Sequence, residues 1–155
     1  MTDTRKKADE AKEIVNKYAL YAAATALVPI PLVHGAIVTG VQLDMLRRLS
    51  KLYEVQFKEN LGKSLVTSLI SGGTTGAIRG LARSVHGWLG FLTVASVSAL
   101  NSSTTYAVGN VFIQHFESGG TLLTFEPDKV RAFYTKKMDE APKQVQRAKY
   151  AGIKP

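Results

Sequence analysis

The fold class the sequence predicts is all-α: compact helical hairpins with Gly/Ser-lined packing, associated with a membrane. Three observations carry that expectation. The 20 Lys and Arg and 12 Asp and Glu are absent from three long stretches: 26 residues at 18–43, 15 at 64–78 and 33 at 84–116. A water-facing helix normally shows a charge on nearly every turn, so stretches of 26 and 33 residues predict lipid contact or heavy burial. Second, small residues recur at strict four-residue steps between Ser64 and Ser84. Third, a Pro-Ile-Pro corner and a run of five polar residues interrupt the apolar stretches and predict hairpin turns. The hydrophobic fraction of 45% rules out wholesale disorder and also a chain made mostly of membrane spans.

Taken along the chain, residues 4–28 predict one helix, because Ala8, Ala11, Val15, Tyr18 and Ala22 recur at three- and four-residue steps. Its first part is amphipathic and its second part apolar all round. Pro29, Ile30 and Pro31 end it, since proline lacks an N–H and disfavours helix in the residue before it. A second helix follows over 32–53, becoming amphipathic at Asp44. Each apolar arm beside the prolines is about 17 Å of helix at 1.5 Å per residue, and a full crossing needs about 20 residues. Two geometries stay open: a wedge dipping into one leaflet with Pro29, Ile30 and Pro31 at its tip, or one kinked span. Lys12 and Lys17 before the arms, with Arg47, Arg48 and Lys51 after them, favour the wedge, which keeps both basic flanks on the cytoplasmic side. A buried hairpin in a soluble bundle is the alternative.

Ser64, Ser68, Gly72, Gly76, Gly80 and Ser84 form the small-residue stripe. Such spacing lets two helix backbones approach closely. Each glycine otherwise costs about 1 kcal/mol in a water-exposed helix. A glycine-rich loop at 71–76 is the competing reading. Residues 84–100 predict another apolar helix with Trp88 and Phe91 near its start. Asn101 to Thr105 predict a polar corner, and 106–116 a further short helix, so that a second hairpin repeats the first. After Gly119-Gly120 the composition turns charged. Glu126-Pro127-Asp128 is a helix start, with Pro in the first turn and acids at the positive end of the dipole. From Ala141 the tail has four bases and no acids and is expected to be loose, or ordered only on a partner. Three segments result: an amphipathic N-terminal helix at 1–17, a hairpin core at 18–116, and a C-terminal amphipathic helix with basic tail at 117–155.

Little points to catalysis. The chain has no cysteine, which removes disulfides, thiolate metal sites and a cysteine nucleophile. Gly62-Lys63-Ser64 ends like a phosphate-binding loop, but Phe57 stands where its first glycine belongs and a helix precedes it. Gly72 to Gly76 could turn N–H groups to an anion, yet no strand–turn–helix frames them. His34, His86 and His115 lack the i, i+4 partner of a helical zinc motif. His34, beside the proline corner, is a candidate pH-sensitive group set against an ordinary structural histidine. No carboxylate pair, nucleophile elbow or dinucleotide fingerprint is legible, so no cofactor is expected. The net charge of +8 fits anionic headgroups rather than nucleic acid, because the bases lack interleaved aromatics and share a helix with acids. The N-terminus, interrupted by acids, does not read as a secretory or transit signal.

The runs Ala22 to Pro31, Gln42-Leu43-Asp44-Met45-Leu46, Leu49 and Leu52-Tyr53, with Gly72-Gly73 and Tyr106-Ala107-Val108-Gly109, resemble a bacterial domain-of-unknown-function family, the YcjF-like family, over residues 15–116. The resemblance implies an all-helical domain at the cytoplasmic face of the bacterial inner membrane that serves an Era-type GTPase. It supplies no catalytic residues. The 155 residues hold no GTPase domain, so a GTPase would be a separate partner. The acid often found after the second proline is missing from Leu32-Val33-His34-Gly35. The expected function is therefore non-enzymatic: a membrane-associated helical protein that self-associates through the stripe and meets headgroups or a GTPase through Arg47, Arg48 and Lys51. The alternatives are a soluble cytoplasmic scaffold that buries its apolar blocks between subunits, and a small pore lined by His34 and the Ser/Thr corner.

Overall fold

The computed structural model describes residues 2–28, 31–83 and 94–152. Among them are five helices: α1 (Thr2–Ala24), α2 (Pro31–Leu52), α3 (Glu59–Arg83), α4 (Val94–Glu117) and α5 (Pro127–Ala151). A single 3-10 turn, Thr25–Leu27, follows α1, closed by the Val28 N–H donating to the Thr25 carbonyl at 3.0 Å. No strand is present among the described residues.

The helices alternate in direction. Tyr18 of α1 meets Asp44 of α2, and Lys7 meets Glu54, so the two run antiparallel. Thr25 meets Asn101 while Val15 faces Gly109, so α1 and α4 are antiparallel as well. Gln42 bonds Thr105 and Tyr53 bonds Glu117, which makes α2 and α4 parallel. One turn into α3, Gly62 already lies beside Leu46, well back along α2. The charge-free end of α1 and the charge-free starts of α2 and α4 thus lie side by side at one end of the bundle, towards which α5, with Lys137 and Glu140 beside Tyr106, also runs its exposed Lys143, Arg147 and Lys149. The other end carries Lys7, Glu54, Glu59 and Glu117.

Helix α4 is the central element, packed most extensively against α1 and α5. Asn101, Ser102, Ser103, Thr104 and Thr105 are all buried. Five successive helical residues point in every direction around the axis, so protein surrounds α4 on all sides at that level. Towards the charged end the core becomes aromatic. Phe112 stacks on Phe125 with centroids 4.4 Å apart, Phe116 lies against Tyr53, and Tyr134 of α5 is fully buried.

Three expectations are corrected here. The polar corner at 101–105 is the interior of one helix, and the short helix at 106–116 is its continuation, so the second hairpin does not turn there. The hydroxyls bond inside the helix, with Ser102 Oγ donating to the Ala99 carbonyl at 3.1 Å and Thr104 Oγ1 to the Asn101 carbonyl at 3.0 Å. Side-chain bonds of this kind satisfy a hydroxyl without breaking the turn. The tail is not loose: α5 runs through Pro142 to Ala151, because Ala141 is fully buried and Val145 packs on the core. The N-terminal boundary of α5 is as expected, with Glu126 extended and Pro127 opening the first turn.

Candidate functional site

The site of interest is the waist where charge first reappears below the uncharged end. Helical spacing places Lys17, Tyr18 and Tyr21 together on α1, and Asp44, Arg47, Arg48 and Lys51 on α2. The Tyr18 hydroxyl donates to Asp44 Oδ2. Arg48 Nε lies 3.5 Å from the same oxygen, and its guanidinium sits over the Tyr18 ring at 5.8 Å. Burial, then the adjacent Asp44, pushes the Tyr18 phenol up to about 12. The Arg48 guanidinium is raised by Tyr18 and Asp44 together. Tyr21 is 49% exposed, edge-on to Tyr18, with the Lys17 ammonium 5.8 Å from its ring centre. A groove of about 270 Å³ runs along α1 past Glu10, Glu13, Lys17, Tyr21 and Arg48.

Of the basic residues singled out in the sequence, Lys17 and Arg48 join this groove. Arg47 turns to Glu59 at 3.3 Å and lies over Phe57 at 5.3 Å, tying α2 to the start of α3. Lys51 is exposed on the outer face of α2. Pro29 and Ile30 lie outside the described residues; Pro31 opens α2, and His34 is in its first turn with its side chain outside the described set.

The stripe residues part company. Ser64 and Ser68 are exposed on α3. Gly72 faces α5, where an added Cβ would run into the Arg131 guanidinium. Gly76 and Gly80 belong to α3 with surroundings outside the described set, and Ser84 lies outside it altogether. A wider open cleft of about 950 Å³ at the charged end is lined by Arg5, Lys7, Tyr53, Phe116 and Glu117. No group of acids and histidines among the described residues could hold a metal ion.

Sequence reasoning missed two features. The Tyr18–Asp44 bond joins residues 26 apart and has no local signature. The buried bonds from Gln42 Nε2 to Thr105 Oγ1 at 3.2 Å and from Asn101 Nδ2 to Thr25 Oγ1 at 3.1 Å were hidden because polar residues read as a surface corner.

The described residues thus form an all-helical bundle with a Tyr/Arg/Lys waist between α1 and α2. The chain belongs to the family described as Domain of unknown function (DUF697), whose model matches residues 4–143. It is also similar to magnetosome membrane protein 22 of Magnetospirillum gryphiswaldense, with 36% identity over 138 residues, covering 84% of this chain and 69% of that protein. No solved structure matches.

Proposed function

We propose that the chain is a non-enzymatic, membrane-associated helical protein at the cytoplasmic face of a bacterial inner membrane, where it self-associates and anchors or partners a GTPase. The observation that carries this reading is the convergence of the charge-free parts of α1, α2 and α4 at one end. Leu27 there is 74% exposed, and Ala36, Gly40 and Ala99 are exposed without a charge among them. The name of the magnetosome relative supports the membrane association in this reading. Among the described residues no helix is long and apolar enough to cross a membrane, which favours a dip into one leaflet over a span. Exposed Ser64, Thr67, Ser68 and Ser71 give α3 an outer face of small side chains on which a second copy can pack closely.

Flotation with liposomes tests the reading: the protein rises with the vesicles, and recovery wholly in the soluble fraction as a monomer overturns it. One observation favours the soluble scaffold instead, namely that residues 101–109 and 111–113 are buried by the chain itself, so this part of the charge-free stretch needs no lipid. Light scattering without detergent separates the two, since a scaffold forms a discrete soluble oligomer.

A further inference from the structure

We propose that the groove beside Tyr18 seats a phospholipid headgroup that carries both a phosphate and a primary ammonium. This rests on the membrane reading above and names the lipid chemistry that its waist recognises. The groove's charges are ordered along the helix. Nearest the uncharged end are Tyr21, Lys17 and Arg48; one turn and then almost two turns further from it stand Glu13 and Glu10. With the uncharged end in the acyl region, a phosphate arrives first, at the level of Lys17 and Arg48. The ammonium beyond it reaches Glu13 and Glu10. Tyr21, half exposed at the rim, has the amphipathic ring that sits at headgroup level.

The pairing pattern supports this order. Glu13 stands four residues before Lys17, the spacing and direction that stabilise a helical ion pair. Yet no ion pair joins them, and among the described residues Glu10 has no cationic partner either. Lys17 instead lies over the Tyr21 ring. At the base of the groove Asp44 is engaged by Tyr18 and Arg48, which holds the guanidinium at the phosphate level. A primary ammonium brings three N–H donors to carboxylates, whereas a choline group brings none. The site therefore prefers the ethanolamine headgroup to choline. It also differs from a plain basic patch, which would rank a purely anionic lipid highest.

The test uses the full chain with three kinds of vesicle: phosphatidylcholine alone, phosphatidylcholine with phosphatidylethanolamine, and phosphatidylcholine with phosphatidylglycerol. Wild type binds the ethanolamine vesicles better than choline vesicles by about fivefold, the weight of one charge contact at a membrane surface. Glu10→Gln with Glu13→Gln abolishes that preference while leaving binding to phosphatidylglycerol intact or stronger. Lys17→Gln lowers binding to both. All three positions are exposed, and an unchanged helical circular dichroism spectrum verifies the fold. Equal binding of ethanolamine and choline vesicles, or a preference that survives loss of both glutamates, overturns the headgroup site while leaving the membrane reading in place. Binding to none of the vesicles overturns both.

Discussion

At Gly109, in the middle of the central helix, an added Cβ would lie 2.5 Å from Val15 Cγ2 and 3.1 Å from Met45 Sδ, so α1 and α2 both close on this position. Val15 is itself buried and β-branched, and cannot swing aside. Gly109→Ala therefore overpacks the core and lowers stability by about 1–3 kcal/mol. Gly40 on the uncharged end of α2 has nothing within 4 Å. Gly40→Ala gains helix propensity and raises stability by about 0.5–1 kcal/mol. Urea titration of the two variants in parallel measures the contrast. Tyrosines set the alkaline limit. Tyr18 is raised from 10.0 to about 12 by burial and by Asp44. Tyr53 is raised by burial and Glu117, and Tyr134 by burial. A raised phenol means that the fold favours the neutral form. That contribution is complete below pH 10 or so and is lost as pH climbs through the folded value. The urea midpoint should fall between about pH 10 and pH 12, and less steeply in Tyr18→Phe; a midpoint unchanged over that interval contradicts the assignment.

Element by element, the helix starts and stops were legible where chemistry acts locally. The first helix ends earlier than expected, at Ala24, with a 3-10 turn over Thr25–Leu27; the second helix opens at Pro31, and the Glu126-Pro127-Asp128 start falls where expected. What failed was the inference from polarity to exposure at Asn101–Thr105. Those residues are small as well as polar, and α4 is the crowded central helix, where smallness governs fit. Their polarity is absorbed by bonds to the helix's own carbonyls and to Gln42 and Thr25, which no local pattern announces. The fit predicts a specific penalty. Thr105→Val keeps the volume but removes the acceptor of the Gln42 carboxamide, itself 1% exposed. The loss should be about 1–3 kcal/mol, the cost of a buried unsatisfied donor. Gln42→Met in the same background should recover most of it. A double variant no more stable than Thr105→Val alone would show that the bond is not the reason. The link between α4 and α5 is fixed in a similar way. His115 Nε2 donates to the Thr121 carbonyl at 2.8 Å, and the ring packs edge-on to Phe125 and fills the space over Gly120.

For the molecule as a whole, the charge gaps in the sequence contained the polarity of the bundle but not its cause. Gaps arise from two different environments: α4 from Asn101 to Val108 lacks charge because its own chain buries it, while α2 at Gly35, Ala36 and Gly40 and α4 at Ala99 lack charge on an exposed surface. Only the second environment bears on a membrane. Single cysteines distinguish the two ends without interference, since the native chain has no thiols. With vesicles present, thiol labelling at Leu27→Cys or Ala36→Cys should slow at least tenfold, and labelling at Leu123→Cys, which is 73% exposed, should not change. Equal labelling at both ends would contradict the orientation. The antiparallel order also dictates how the bundle can be extended. Thr2 starts α1 beside Lys7 and Glu54, at the pole opposite Leu27. Any sequence joined ahead of α1 consequently emerges at the pole of Lys7 and Glu54, and a reporter fused there leaves the pole of Leu27 unobstructed.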